Sequence, residues 1–337
     1  MAVKIGLNGF GRISRCLVRI AMADPDVELC GINYRNSDYD YMRYMVQWDS
    51  TFGKYPTEVG TYDKGIVIDG KKIPVFFEGD AKDIPWGDCG AEYVIDGTGA
   101  YTSSEKAQAH LDAGAKKVVI SAPAKDDTPT FVMGVNQDKY KPEYKIVSNA
   151  SCTTNCLAPV SKVVNDNWGI ESGLMSTIHA LTAKQLVIDG RSNKDWRRGR
   201  CGVNNIIPTT TGAAKAVGKV IPELQGKMTG LSYRVPLADV SLVDLNVVTK
   251  KPTTYDEICA KIKEASEGSM KGVIEYVDDE VVSSDFLGDP HTSIFDSKMG
   301  IQLTDNMFKL VMFYDNEFGY ANKTLDLAKY MCEQDNK

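Results

Sequence analysis

The opening segment of the chain constrains its fold more than any other feature. Residues 3–7 form an apolar run typical of a buried strand, a turn containing Gly9 and Gly11 follows, and a helical pattern leads to a second apolar strand at 27–32. In such a unit the first glycine permits a tight turn, the second lets the backbone approach a pyrophosphate, and the helix start receives that anion. Ser14, a small residue, stands at the third glycine position. The segment predicts a dinucleotide-binding domain, although a strand–helix turn of an unrelated α/β domain would give a similar pattern.

The end of the second strand departs from the usual dinucleotide-binding pattern. An acidic residue is expected there to bind the ribose hydroxyls of the adenosine, but the chain has Tyr34 and Arg35. Without a carboxylate nothing repels the 2′-phosphate of NADP, and Arg35 could pair with that phosphate. The departure predicts that cofactor use is not restricted to NAD.

Further apolar runs extend the predicted parallel sheet. Residues 92–96 and 117–121 read as strands that flank a helix at about 103–114. Because ligands of an open parallel sheet bind at the carboxyl ends of its strands, we expect the loop 97–99 to face the cofactor. Short runs between about 57 and 78 predict an antiparallel hairpin insertion.

The segment around Cys152 is the most informative one for chemistry. Ser151 can cap a helix, and Cys152 follows it at a predicted strand-to-helix junction. The free N–H groups and the positive dipole end of a helix start favour a thiolate, so we expect the pKa of Cys152 to lie below the ordinary value of about 8.5. A structural role is the alternative, since cysteines are common in protein cores. The eight cysteines show no metal-ligand spacing, which favours reduced thiols in a cytoplasm and no bound metal.

A base for a reactive cysteine is available on a later strand. The chain has three histidines. His110 lies in a helical pattern and is predicted to be on the surface, His291 lies in a loop, and His179 lies in an apolar run at 173–182. A histidine on a strand is often structural, but a reactive cysteine needs a base. We expect His179 to supply it.

Several segments of the second half are candidate anion sites. Thr211 and Gly212 open a predicted helix with a hydroxyl and free backbone N–H groups, an arrangement that binds phosphate. Arg234 lies among apolar residues on a predicted strand, where its charge needs a partner such as a substrate phosphate. A basic run is predicted either to be a solvated loop or to line an anionic site or subunit contact, and it contains Lys184, Arg191, Lys194, Arg197, Arg198 and Arg200.

Composition argues against several classes of function. The chain has 337 residues, of which 25% are charged, and a net charge of −6. The negative balance argues against nucleic acid or an anionic membrane as the main partner. No run approaches the ~18 apolar residues of a membrane span, and the first residues lack the pattern of a signal peptide.

Taken together, these segments resemble phosphorylating glyceraldehyde-3-phosphate dehydrogenases along the whole chain. The resemblance implies a Rossmann-type doubly wound sheet followed by an α+β catalytic domain with a mostly antiparallel sheet. It also implies the domain boundaries: residues 1–151 bind the dinucleotide, 152–315 carry catalysis, and 316–337 form a helix that returns to the first domain. The segments that carry the resemblance follow the family's order and are 8–15, 151–159, 179–183, 205–215, 234–236 and 314–320.

The resemblance implies a role for each matching residue. Cys152 would be the nucleophile and His179 its general base. Thr182 and Arg234 would bind the C3 phosphate of the substrate. Inorganic phosphate would bind at Ser151, Thr153, Thr211 and Gly212, and the cofactor at Gly9, Gly11, Arg12, Ile13, Tyr34, Arg35, Thr98, Gly99 and Ser121, with Asn316 orienting the nicotinamide amide. Departures from the commonest family pattern are Tyr34, Lys184, Arg191 and Phe318.

The implied reaction is the reversible conversion of glyceraldehyde 3-phosphate and inorganic phosphate to 1,3-bisphosphoglycerate. NAD or NADP would accept the hydride, and a thiohemiacetal and a thioester would form on Cys152. A cytoplasmic homotetramer is implied. Related enzymes such as erythrose-4-phosphate or aspartate-semialdehyde dehydrogenase are alternatives, as is a non-catalytic protein of this fold that binds RNA or a host surface.

Overall fold

The computed structural model describes residues 2–35, 37–193 and 195–337, so that Met1, Asn36 and Lys194 of the predicted basic run lie outside the described residues. The chain divides into two units. The first unit comprises the chain up to Phe131 together with Gln137–Ala150 and Ala321–Lys337. The second unit comprises Val132–Asn136 and Ser151–Tyr320. The domain limits implied by the sequence, at 151/152 and 315/316, remain predictions.

A twisted sheet with flanking helices makes up the first unit. The helices are α1 Arg12–Ala23, α2 Tyr39–Gln47, α3 Trp86–Cys89 and α4 Ser104–Asp112. The strands are β1 Val3–Asn8, β2 Val27–Asn33, β3 Gly60–Tyr62, β4 Gly65–Ile68, β5 Lys71–Phe76, β6 Tyr93–Asp96, β7 Lys117–Ile120 and β8 Ile146–Ser148.

The strand order of this sheet confirms the predicted Rossmann-type fold. The order is β3-β4-β5-β2-β1-β6-β7-β8, and every pair from β5 to β8 is parallel. This order starts at β1 and winds outward in both directions, which places the carboxyl ends of β1 and β6 at the topological switch point. β3, β4 and β5 pair antiparallel, so the predicted hairpin insertion is confirmed.

The second unit is a sheet covered by helices. Its helices are α5 Cys152–Trp168, α6 Ala213–Val220 and α7 Tyr255–Glu267, and the last helix, α8 Phe318–Asp335, starts just before the unit boundary. The strands are β9 Ile170–His179, β10 Ile207–Thr210, β11 Met228–Arg234, β12 Ser241–Thr249, β13 Ile274–Val277, β14 Ser293–Asp296, β15 Ile301–Thr304 and β16 Met307–Tyr314.

The sheet of the second unit is mostly antiparallel, as predicted. Its order is β10-β11-β9-β12-β16-β14-β13, with β15 paired to β16. Residues on β12 alternate between buried and half-buried, which is the period of a strand with one face on a core. The α5 helix packs against this sheet and against α6. The pair β9–β11 is parallel, and in its register the last residue of β9, His179, lies beside the last residue of β11, Arg234.

His110 is a position where the sequence prediction was wrong. The side chain is fully buried rather than on the surface. Its Nδ1 accepts a hydrogen bond from Trp86 Nε1 at 3.1 Å, and its Nε2 lies 3.2 Å from Asp96 Oδ2. A histidine with both ring nitrogens partnered is tolerated in a core, and the helical pattern alone did not reveal those partners.

No helix within residues 2–35, 37–193 and 195–337 has the length and apolar character needed to cross a membrane.

Candidate active site

Cys152 is the first residue of α5, directly after the cap. Ser151 Oγ accepts the backbone N–H of Thr154 at 3.1 Å, which satisfies one of the free N–H groups of the helix start. The residue before the cap, Ala150, has φ 55°. A non-glycine residue rarely adopts this left-handed conformation, so the turn that presents Cys152 is held by its surroundings. The predicted helix start at Cys152 is confirmed.

His179 faces the cysteine sulfur. Its Nε2 lies 3.6 Å from Cys152 Sγ, and its ring is 3% exposed. Nδ1 lies 2.7 Å from the carbonyl oxygen of Ala180. The Ala180 oxygen can only accept and so favours a proton on Nδ1, whereas Arg234 Nη1, 2.8 Å from the same atom, can only donate and favours a lone pair there. The tautomer with the proton on Nδ1 turns the Nε2 lone pair toward the sulfur. The ring of Tyr314 packs edge-on against the imidazole with centroids 5.9 Å apart.

Arg234 brings a positive charge to the same imidazole. Its Nη1 lies 2.8 Å from His179 Nδ1 and donates to Ala180 O at 3.1 Å. Its buried Nε makes no hydrogen bond within the described part of the chain. A guanidinium with a free buried donor is suited to receive an anion.

The sequence predicted a pKa of Cys152 below its ordinary value, and the structure gives the opposite direction. Burial raises the pKa of the Cys152 thiol above its ordinary value, and the nearby Arg234 charge only opposes that shift. Burial and the Arg234 charge lower the pKa of His179 from 6.5 to about 3. The resting pair is therefore a neutral thiol and a neutral imidazole. The helix start favours a thiolate, but removal of water from the sulfur outweighs it.

A hydroxyl cluster fixes the start of α5 to the sheet. The hydroxyl of Tyr314, a residue that is 1% exposed, lies 2.9 Å from Thr153 Oγ1 and 2.9 Å from Thr177 Oγ1. These contacts join the first turn of α5 to β9 and β16. Since the Thr153 hydroxyl is shared with Tyr314, it is positioned rather than freely rotating.

The other predicted anion-binding residues make their hydrogen bonds within their own turns. Thr182 is exposed, and its Oγ1 donates to Gln185 Oε1 at 2.7 Å. Thr211 Oγ1 accepts the N–H of Ala213 at 3.2 Å, and Gly212 caps α6 without a side-chain hydrogen bond. Among the described residues, no hydrogen bond joins Thr182, Thr211 or Gly212 to the Cys152–His179–Arg234 cluster.

The first unit contains a cavity at the glycine-rich turn. Gly9 has φ 96°, and a Cβ there would lie 3.0 Å from the Thr98 side chain. Gly11 caps α1 without a side-chain hydrogen bond, and a Cβ added there would meet nothing within 4 Å. Open space before uncapped N–H groups fits the pyrophosphate of a dinucleotide. The cavity, of ≈ 340 Å³, is lined by Asn8, Gly9, Phe10, Gly11, Asn33, Tyr34, Arg35, Glu78, Gly79, Ala81, Gly97, Thr98, Ala100 and Tyr101.

Several predicted cofactor residues do not line this cavity. Arg12 forms an ion pair with Asp49 at 2.5 Å. Ser121 donates its backbone N–H to Asp96 O at 3.0 Å, and its buried Oγ has no partner within the described residues. Gly99 lies between the lining residues Thr98 and Ala100, and Ile13 lies two residues after Gly11, but neither is part of the lining.

Comparison with known proteins identifies the family. Residues 3–104 match the family model described as glyceraldehyde 3-phosphate dehydrogenase, NAD binding domain, and residues 151–316 match its C-terminal domain. The chain is 55% identical to glyceraldehyde-3-phosphate dehydrogenase 3 of Saccharomyces cerevisiae over 331 residues. These residues make up 98% of this chain and 99% of the relative. Over 332 residues it is 56% identical to the cytosolic glyceraldehyde-3-phosphate dehydrogenase of Pinus sylvestris, covering 98% of this chain and 97% of the relative. The chain belongs to the glyceraldehyde-3-phosphate dehydrogenase family.

The edge of the cavity at the glycine-rich turn departs from the pattern expected of a dinucleotide-binding domain. Tyr34 stands where an acid is expected, and its ring lies 5.8 Å from that of Phe10. Arg35 is exposed at the cavity. Sequence reasoning missed Glu78, an exposed lining residue. The signal was its position just after β5, the strand beside β2, because neighbouring parallel strands end at one edge.

Sequence reasoning also missed polar residues that contact or lie beside the Cys152–His179–Arg234 cluster. Ser241 and Tyr314 are buried at inward positions of β12 and β16. The available signal was a hydroxyl at an inward position of an alternating strand, since such a group must find a partner. The sequence does not say which partner.

Proposed function

We propose that this protein is an NAD-dependent phosphorylating glyceraldehyde-3-phosphate dehydrogenase that works through Cys152. The observation that carries the proposal is the 3.6 Å approach of Cys152 Sγ to His179 Nε2 at the start of α5, with Arg234 against the same imidazole. Family membership supplies the reaction, and this cluster supplies a nucleophile, a base and an anion-binding cation in contact with each other. In this assignment residues 1–151 bind the dinucleotide and 152–315 carry catalysis.

Addition of the aldehyde begins the reaction. Cys152 Sγ attacks the aldehyde carbon, the thiol proton passes to His179 Nε2, and His179 then gives that proton to the former carbonyl oxygen to form a thiohemiacetal. Backbone N–H groups at the helix start stabilise the negative charge on that oxygen. Thr182 and Arg234 hold the C3 phosphate, for which the buried Nε of Arg234, unpaired among the described residues, is a donor.

Oxidation and phosphate attack complete the reaction. His179 takes the hydroxyl proton while the carbon loses a hydride, which leaves a thioester on Cys152. NAD, when bound, supplies the hydride acceptor. Inorganic phosphate held by Ser151, Thr153, Thr211 and Gly212 attacks the thioester carbon, and the released sulfur regains a proton. One phosphate belongs to the substrate and another reacts, which accounts for separate anion-binding groups.

The test compares two cysteines one helical turn apart. Cys152→Ser should abolish turnover, because a serine hydroxyl is a far weaker nucleophile, yet it should bind NAD as the wild type does in calorimetry. The matched control is Cys156→Ser, since Cys156 is fully buried on the same helix and its thiol points to Phe313 O at 3.9 Å. Normal turnover in the Cys152 variant would refute the proposal. Assays of glyceraldehyde 3-phosphate, erythrose 4-phosphate and aspartate semialdehyde, each with and without inorganic phosphate, decide the substrate.

We propose further that the enzyme accepts NADP as well as NAD. Tyr34 removes the carboxylate that repels a 2′-phosphate, and Arg35 places a positive charge at the same cavity. Glu78 opposes this with a negative charge at the cavity. Steady-state kinetics with both cofactors test the proposal. Glu78→Gln should raise the use of NADP relative to NAD, and a wild-type enzyme without measurable NADP activity would contradict dual use.

Exposed apolar side chains support a homotetramer. On the sheet of the second unit Leu174 is 64% exposed and Leu303 is 69% exposed, while Ile188 and Trp196 in the basic run are 75% and 85% exposed. Further copies of this chain would cover these surfaces. Sedimentation velocity should give four times the chain mass, and a monomer would contradict the proposal. The relative from Pinus sylvestris is described as cytosolic, which supports a cytoplasmic location for this chain.

A further inference from the structure

Ser241 joins two parts of the candidate active site. Its Oγ accepts the backbone N–H of Ala180 at 3.0 Å and donates to Asn316 Oδ1 at 2.5 Å. Ala180 follows His179 and provides the carbonyl oxygen that lies 2.7 Å from the imidazole Nδ1. Ser241 is 1% exposed and Asn316 is 4% exposed. The buried Ser241 hydroxyl thus connects the backbone of Ala180, which follows His179, to the side chain of Asn316.

The hydrogen-bond chemistry of the serine determines which end of the Asn316 amide it faces. The Ala180 N–H can only donate, so it occupies a lone pair of Oγ and leaves the hydroxyl proton available. Within the described residues, the one acceptor recorded for that proton is Asn316 Oδ1. The hydrogen bond between the two side chains runs from the Ser241 hydroxyl to Asn316 Oδ1. The amide oxygen therefore faces Ser241.

The backbone around Asn316 is held independently of Ser241. Asp315 Oδ1 accepts the N–H groups of Glu317 at 2.9 Å and Phe318 at 2.6 Å, and its Oδ2 accepts the N–H of Gly288 at 2.8 Å. These bonds fix the main chain on both sides of Asn316. The terminal amide of Asn316 can still rotate, and its hydrogen bond with the Ser241 hydroxyl sets its orientation.

We infer that Ser241 is a positioning residue that turns Asn316 Nδ2 outward, so that the enzyme reads the carboxamide oxygen of the nicotinamide rather than its amino group. The inference rests on the proposed role of Asn316 in cofactor binding. Hydride leaves a carbon attached to Cys152, so the nicotinamide ring must bind beside Cys152. An Asn316 Nδ2 group that points outward can donate its N–H groups to an acceptor on the cofactor. Without the serine hydroxyl, the amide can rotate and present its oxygen instead.

Two cofactor analogues separate these orientations in a binding experiment. The 3-acetylpyridine analogue of NAD keeps the carbonyl oxygen and lacks the amino group, whereas the thionicotinamide analogue keeps the amino group and replaces the oxygen with a weak acceptor. Calorimetric dissociation constants of the wild type should favour the acetylpyridine analogue by about tenfold, the value of one hydrogen bond to a neutral group. In Ser241→Ala this preference should vanish or reverse.

Control variants distinguish positioning from a general loss of structure. Ser241→Thr keeps the hydroxyl and should restore the wild-type preference. Ser161→Ala removes another fully buried serine of the second unit, on α5, and should leave the preference unchanged. A purely structural role for Ser241 would weaken both analogues equally and lower the melting temperature, and that result would overturn the inference.

The outcomes also separate this inference from the proposal it rests on. If the wild type does not discriminate between the analogues, the role of Asn316 in reading the carboxamide is refuted. If the wild type discriminates and Ser241→Ala retains the same ratio, Asn316 binds the cofactor but Ser241 does not orient it.

Discussion

Replacing Asp239 with asparagine should change how the stability of the protein depends on pH. Asp239 is 8% exposed, and its Oδ1 accepts the N–H of Val240 at 2.8 Å. Burial, together with the charges of Asp315 and Glu317, raises the pKa of Asp239 from 3.8 to about 9. The folded protein therefore keeps this carboxyl protonated at neutral pH.

The sign and size of the effect follow from the two pKa values. Below pH 3.8 the folded and unfolded chains both carry the proton, so Asp239 does not make stability depend on pH. Between pH 3.8 and about 9 only the unfolded chain releases it, so each pH unit should lower the free energy of unfolding by ~1.4 kcal/mol. From pH 6 to pH 8 the wild type should lose about 3 kcal/mol through this group, whereas Asp239→Asn should not.

Urea unfolding at pH 6, 7 and 8, at one protein concentration, measures this difference. The stability of Asp239→Asn relative to the wild type should increase with pH, whatever its intrinsic effect on packing. The matched control is Asp305→Asn, because Asp305 is exposed, and its curve should run parallel to that of the wild type. Parallel curves for Asp239→Asn and the wild type would refute the protonated state of Asp239.

Three further substitutions test the rest of the assignment. His179→Asn should lower kcat by about 10²–10⁴, the usual contribution of a general base, with unchanged NAD binding in calorimetry, and a loss below tenfold would exclude that role. Tyr34→Asp should lower kcat/KM for NADP relative to NAD because it restores a repelling carboxylate; an unchanged ratio would show that the residue does not select the cofactor. His110→Leu should lower the free energy of unfolding by about 1–3 kcal/mol in urea titrations, because Trp86 and Asp96 lose a buried partner; unaltered stability would contradict the assigned contacts.

Local sequence patterns determined the elements and the candidate chemistry. The apolar runs and glycines before α1 predicted the first βαβ unit, because strand and helix periodicity and backbone freedom at Gly9 are properties of neighbouring residues. The capping serine before Cys152 predicted the helix start for the same reason. Residue type alone proposed His179 as a base and Arg234 as an anion partner.

Only the tertiary structure decided how these groups affect one another. The parallel register of β9 and β11 places Arg234 beside His179, and this pairing joins residues far apart in the sequence. Burial reverses the expected shift in the pKa of Cys152 and holds His179 neutral. Folding also places His110 next to Trp86 and the Ser241 hydroxyl next to Asn316. Desolvation and hydrogen-bond pairing depend on the whole surroundings of a side chain, and those surroundings exist only once the chain has folded.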